Sequence, residues 1–215
     1  MKILAASDIH NSWENFKPGN SDDFDVAVFA GDLTNHGLIN QHIEKNYENV
    51  KNFQKAANNL RNWSNFANKV IWIPGNHDWN MSNIAVKETK NIYHKTIDIN
   101  GLYFYGVSLG YYPDKPDIAV RWDHMTINPI YEEHYYLETI PKNVNVLVSH
   151  SPPTGITGTE KAIGNIGSPS LRKYIELYQP RLVICGHVHN PISRYEKIGR
   201  TEIYNVATIK QIIEI

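Results

Sequence analysis

Five short apolar runs punctuate the chain, and each one ends in a carboxylate, an amide or an imidazole. Residues 2–7 lead into Asp8-Ile9-His10, and residues 25–30 into Gly31-Asp32. Residues 69–73 lead into Pro74-Gly75-Asn76-His77-Asp78, residues 144–149 into His150, and residues 181–185 into Gly186-His187-Val188-His189. Nearly continuous hydrophobicity over so few residues predicts strands covered on both faces, with helices between them. In an open sheet with crossover helices, the carboxyl ends of parallel strands share one edge, where ligands bind. The five polar clusters are therefore expected to form one site.

The remaining elements follow from periodicity and punctuation. Residues 102–108 read as a further strand. Residues 192–198, 201–207 and 210–215 read as a closing antiparallel meander whose first turn is Gly199-Arg200. Between residues 38 and 67, Ile43, Tyr47, Val50, Phe53, Ala57, Leu60 and Ala67 recur at three- and four-residue spacing, predicting one long helix or two shorter ones packed on a sheet. Residues 170–178 predict another helix, ended by Pro180. Two stretches resist assignment: residues 110–136, rich in Tyr, Trp, Asp and Pro, and residues 154–168, with Gly155, Gly158, Gly164 and Gly167. Loops of that length are more often functional than idle.

Bulk properties narrow the classes. A length of 215 residues with 41% hydrophobic content is expected to form a single domain spanning 1–215. A net charge of −1 sets up no global field for a long nucleic acid or an anionic membrane. Cys185 is the single cysteine, so no internal disulfide framework exists. That composition, with no apolar run of membrane-crossing length, leads us to expect a cytoplasmic protein.

Asp8, His10, Asp32, Asn76, His150, His187 and His189 offer a mixed oxygen and nitrogen donor set. Asp8 and His10 are two residues apart, as are His187 and His189, so in extended chain each pair projects to one side. A single tetrahedral zinc takes four ligands, and seven suit two ions better. The mixture favours Mn, Fe, Co, Ni or Zn over Ca or Mg. Taken singly each motif has a bland reading: Asp-x-His and Gly-Asp are common in turns, and His150 fits a hydrogen-bonded core histidine. Their joint occurrence at successive strand ends is what argues for a dinuclear metal centre.

In this order the motifs resemble those of the calcineurin-like metallophosphoesterase superfamily: Asp8-x-His10, Gly31-Asp32, Gly75-Asn76-His77-Asp78, His150 and Gly186-His187-x-His189. The resemblance implies an α/β fold, a four-layer αββα sandwich of two mixed β-sheets flanked by helices. It also implies that Asp8, His10, Asp32 and His189 hold one divalent ion, and that Asp32 bridges to a second completed by Asn76, His150 and His187. His77 would then assist the leaving group beside the scissile phosphate, with Asp78 orienting it or supporting its loop. The implied reaction is hydrolysis of a small phosphodiester or phosphomonoester by a metal-bridging hydroxide. At the second motif this chain reads Gly31-Asp32-Leu33-Thr34-Asn35-His36-Gly37, where protein phosphatases of the superfamily carry Gly-Asp-x-Val-Asp-Arg-Gly; the resemblance therefore points to the small-phosphodiesterase branch. The last motif, often Asn-Pro-Gly, is Asn205-Val206-Ala207, a change expected to alter a tail turn only. Candidate substrate contacts are Asn11, Asn35, His36, Arg121 and His124. Tyr111, Tyr112 and Trp122 offer a possible stacking wall, and Arg172 suits a surface role as well as a phosphate contact. The alternatives are a nuclease of the same superfamily and a non-catalytic interaction scaffold.

Overall fold

A computed structural model describes residues 1–17, 19, 23–35, 46–78, 85–108, 110–111, 126–127 and 138–215. The first strands are β1 (Lys2–Ala6), β2 (Phe24–Ala30), β3 (Ala67–Ile73) and the short β4 (Lys90–Asn91). They lie side by side in parallel, and β15 (Lys210–Glu214) closes the sheet by pairing antiparallel with β1. A second sheet has β5 (Thr96–Ile99) at one edge, then β6 (Leu102–Val107), β9 (Val146–Ser149), β12 (Leu182–Cys185), β14 (Thr201–Asn205) and β13 (Tyr195–Ile198). Its central four strands are parallel and its two edges antiparallel. Two small ribbons complete the strands: β7 (Gly110–Tyr111) with β8 (Thr126–Ile127), and β10 (Thr159–Glu160) with β11 (Gly164–Asn165). The major helices are α1 (Asn46–Asn62) and α2 (Pro169–Tyr178).

Strand alternation builds the layers. Ile3 and Ala5 of β1, Val26 and Val28 of β2, and Ile71 and Ile73 of β3 face the second sheet, where they meet Phe104, Val146, Val148, Leu182 and Ile184. Their neighbours Leu4, Ala6, Phe29 and Trp72 face outward, under Ala56 and Leu60 of α1 and Trp63 just beyond it. On the other side Leu147, Val183 and Ile203 point out to meet Leu171, Tyr174 and Ile175 of α2. Both faces of each sheet are thus covered, which is why the strands read as near-continuous apolar runs. The result is a four-layer αββα sandwich, as the sequence resemblance implies. α2 begins at a Ser168 cap, whose hydroxyl accepts from Leu171 N at 2.9 Å, and ends with Gln179 in the left-handed conformation before Pro180.

Two expectations are corrected. The five motif strands do not share one open sheet: β1, β2 and β3 lie in one, β9 and β12 in the other. Nor do the last three strands form a meander. β13 and β14 make the expected hairpin, but the chain then crosses to the first sheet, where β15 pairs with β1. Alternation specifies which face of a strand is buried and not which neighbour it joins. The helical stretch is present from Asn46, whereas residues 38–45 lie outside the described residues.

Phe104 is fully buried between the sheets. Phe104→Ala is expected to destabilise the fold by about 3–5 kcal/mol, measured as a shift in the urea unfolding midpoint.

Candidate metal centre

The motif loops are laced to one another by backbone hydrogen bonds. After β1 and β2, Asp8 N donates to Gly31 O at 3.0 Å, His10 N to Asp32 O at 3.0 Å and Asn11 N to Leu33 O at 3.2 Å. After β9 and β12, Gly186 N donates to His150 O at 2.9 Å. Asp78 ties the loop after β3 to the loop after β2: its carboxylate accepts from Gly75 N, Leu33 N and Thr34 N, each at 2.9 Å, and from the Thr34 hydroxyl. Burial, with Asp32 nearby, raises the Asp78 pKa to about 7, and the three N–H donors oppose that rise. Since every partner donates, the carboxylate form suits the position. Gly75 is required by close approach, because a Cβ there would overlap the Asp32 carboxylate and backbone nitrogen.

Several of the key side chains leave the backbone from an unusual conformation. Asp8 (φ 55°), His10 (φ 46°), Asp32 (φ 52°) and His187 (φ 66°) all occupy the left-handed region, which non-glycine residues avoid. Such strain persists where surrounding structure holds it, commonly at functional sites.

The geometry that results is directional. One oxygen of each buried aspartate is held by a backbone N–H: Asp8 Oδ2 accepts from His187 N at 2.9 Å, and Asp32 Oδ1 from His77 N at 2.8 Å. The other oxygens face imidazoles. Asp8 Oδ1 lies 2.9 Å from His189 Nε2 and 3.9 Å from His10 Nε2. Asp32 Oδ2 lies 3.4 Å from His150 Nε2 and 3.9 Å from both His10 Nε2 and His77 Nε2. The His10 and His189 Nε2 atoms are 3.3 Å apart.

These contacts test whether the residues fit a cation. His150 Nδ1 is 2.9 Å from Ala30 O, and His10 Nδ1 is 3.3 Å from Thr34 O. A carbonyl only accepts, so both Nδ1 atoms carry the proton and both Nε2 atoms of the neutral rings present lone pairs. That is the arrangement of metal-binding histidines, whose outer nitrogen is oriented by a carbonyl. The lone pairs converge on carboxylate oxygens, so positive charge is needed between them. Burial pushes the Asp32 pKa up, but His150 outweighs this and holds the carboxyl well below the usual range. Asp8 behaves alike, with the His189 hydrogen bond and His150 overcoming burial. In turn, burial lowers the His150 pKa while Asp32 and Asp8 drive it up to about 9. A divalent cation meets the same demand without protonating a buried ring, and the donor set fits one. The triads Asp8–His10–His189, His10–Asp32–His77 and Asp8–Asp32–His150 each have ligand atoms within 4.8 Å of one another.

The calcineurin-like phosphoesterase family model matches residues 1–191. The chain belongs to this family. An uncharacterized protein of Methanocaldococcus jannaschii is 31% identical over 95% of this chain and 87% of its own length. A UPF0046 protein of Caenorhabditis elegans is 27% identical over 88% of this chain, which spans 63% of that relative. A solved crystal structure superposes with a TM-score of 0.58 at 16% identity, over 95% of this chain and 89% of the other, showing the same fold.

The structure brings Asp8, His10, Asp32, His150 and His189 together as above, with Asn76 Oδ1 2.8 Å from His150 Nε2 and the His187 ring packed edge-on to that of His150. A cleft of about 380 Å3 opens over this cluster. His77 lines it, and its buried Nδ1 has no hydrogen-bond partner among the described residues. Among the described residues Asp78 makes no hydrogen bond to the His77 ring; its carboxylate accepts from the loops after β2 and β3. Asn11 is half-buried and Asn35 exposed, and neither lines the cleft. Arg172 bonds Glu176 and Glu196, both at 2.7 Å, away from the cluster. His36, Arg121, His124, Tyr112 and Trp122 lie outside the described residues, and Tyr111 is described in its backbone alone.

Sequence reasoning missed the rest of the cleft: Glu160, Ala162, Ile163, Ile166 and Asn190. The available signal was that the isoleucines stand in a Gly-rich segment without strand or helix periodicity. Asn205, the first residue of the last motif, has a role the sequence did not reveal: its amide donates at 3.0 Å to both Val188 O and Thr157 O. Asn205 thereby holds the turn between His187 and His189.

Asp32→Ala and His150→Ala are each expected to purify without stoichiometric metal under conditions that load the wild type, as read by elemental analysis. Asp78→Asn places an amide N–H against a backbone N–H, and is expected to destabilise the protein by about 1–3 kcal/mol in urea unfolding.

Proposed function

We propose that this chain hydrolyses a phosphodiester or phosphomonoester bond of a small substrate, using two divalent ions. Asp8, His10, Asp32 and His189 would hold the first, and Asp32, Asn76, His150 and His187 the second. The observation that carries this reading is the convergence of carboxylate oxygens and carbonyl-oriented imidazoles on shared points, at the floor of an open cleft. Family membership supplies the reaction class. Ions in such a donor set supply Lewis acidity and hydroxide at neutral pH.

The chain's own residues do the remaining work. His77 reaches the cleft beside the cluster, within range of a phosphate ester bound there. Burial lowers its pKa, and Asp32 nearby opposes that. A phosphate ester's negative charge beside the ring favours the imidazolium. Substrate binding thus equips His77 to protonate the departing oxygen. Among the described residues no lysine or arginine lines the cleft. A long nucleic acid chain binds chiefly through such cations, so a small substrate suits the site better.

His77 Nε2 also lies near His10 and Asp32, so metal content and leaving-group dependence are read together. His77→Ala is expected to keep its full metal content yet turn over an alkyl phosphate ester about a hundredfold more slowly. With p-nitrophenolate as leaving group, which needs little protonation, the deficit should shrink. Equal deficits for both leaving groups would falsify the proton-donor role, and loss of metal would make His77 a ligand.

A further inference from the structure

The wall of the cleft beside the donor cluster belongs to the Gly-rich segment that resisted assignment from sequence. Its β10–β11 hairpin turns at residues 161–163, and Ala162, Ile163 and Ile166 line the cleft shared with His77 and His189. Ile163 leaves 69% of its surface in water, although it sits within reach of the most polar part of the molecule. The hairpin is fixed in place. Lys161 N donates to Asn190 O at 3.1 Å, Ile192 N to Thr159 O at 3.0 Å, and Asn190 N to Glu160 Oε2 at 2.9 Å. The apolar wall is therefore laced directly to the residues that follow His189. At its base Gly167 packs flat on the Pro153 carbonyl, where a Cβ would not fit. Among the described residues Glu160 is the one charged side chain lining this wall.

Granting the phosphoesterase reading above, we infer that the substrate is a phosphodiester with one apolar ester arm seated against Ala162, Ile163 and Ile166. The arm removes from water the surface that Ile163 leaves exposed. These three side chains offer no hydrogen bond, so a polar sugar arm seated on them would lose bonds to water that only the neighbouring Glu160 and Asn190 could replace. The Glu160 carboxylate opposes a second anionic group on the arm. A diester, carrying one negative charge, fits that balance.

The test uses Mn²⁺-loaded protein and three p-nitrophenyl diesters that share the leaving group and differ in the arm that stays: phenyl, methyl and thymidine 5′. Each kcat/KM is divided by the rate constant with Mn²⁺ alone. The phenyl ester is expected to exceed both others by about tenfold, the scale on which apolar pockets discriminate. Ile163→Ser, at an exposed position that the fold tolerates, is expected to cut the phenyl-to-methyl ratio about fivefold. Leu177→Ser, at another exposed apolar position, on the solvent face of α2, is expected to leave the ratio alone. Titration calorimetry with phenylphosphonate and methylphosphonate should show the same preference and the same loss in Ile163→Ser, without turnover. Equal constants for the three arms, a thymidine preference, or a ratio that Ile163→Ser does not move overturns the apolar arm while the hydrolase reading stands. Absence of metal-dependent hydrolysis of all three overturns the hydrolase reading itself.

Discussion

Two carboxylates buried almost out of reach of water, Asp8 and Asp32, set the terms for the whole structure. Each raises the cost of ionising the other, and burial adds to that cost. Both nevertheless sit low in pKa because imidazoles answer them. A backbone N–H holds one oxygen of each, leaving the other aimed inward. Groups arranged in this way store a demand for positive charge at one place, and a protein builds such a place when a cation belongs there.

Meeting that demand takes rigidity, which the two sheets provide. The motif loops are short, and hydrogen bonds join each to its neighbour. Four of the key residues stand in left-handed backbone conformations, each costing about 1–3 kcal/mol. The buried Asp78 clamp and the Asn205 amide bear on the same loops. Arg194 adds to this by donating to His189 O at 2.9 Å and Ala207 O at 2.7 Å. Residues with no chemistry of their own thus keep those with chemistry from relaxing.

The cleft above is two-sided. Its floor is charged and hydrogen-bonded, while one wall is aliphatic and carries a single carboxylate. On the proposed reading the floor would hold the phosphate and the wall would meet what the phosphate is attached to. Among the described residues no helix is long and apolar enough to cross a membrane, and the exposed isoleucine of the wall stands at the cleft.

The amino-acid order alone determined the elements and the residue types at their ends. Five apolar runs covered on both faces read as strands, each ending in Asp, Asn or His, because hydrophobic patterning and turn chemistry are local and written in consecutive positions. The helix ending at Tyr178 was legible for the same reason, through its proline stop, whereas the Ser168 cap that starts it emerged only in the structure. Only the tertiary structure decided that the motif strands divide between two sheets, that β15 returns to β1, and that Asp78 serves Leu33 and Thr34 and not the His77 ring. It alone placed Ile163 over the cluster and Asn205 behind the His187–His189 turn. Strand partnership, hydrogen bonds between loops far apart in the chain, and the side of a cleft on which a hairpin lands all depend on contacts across long sequence separations, and no local pattern encodes those.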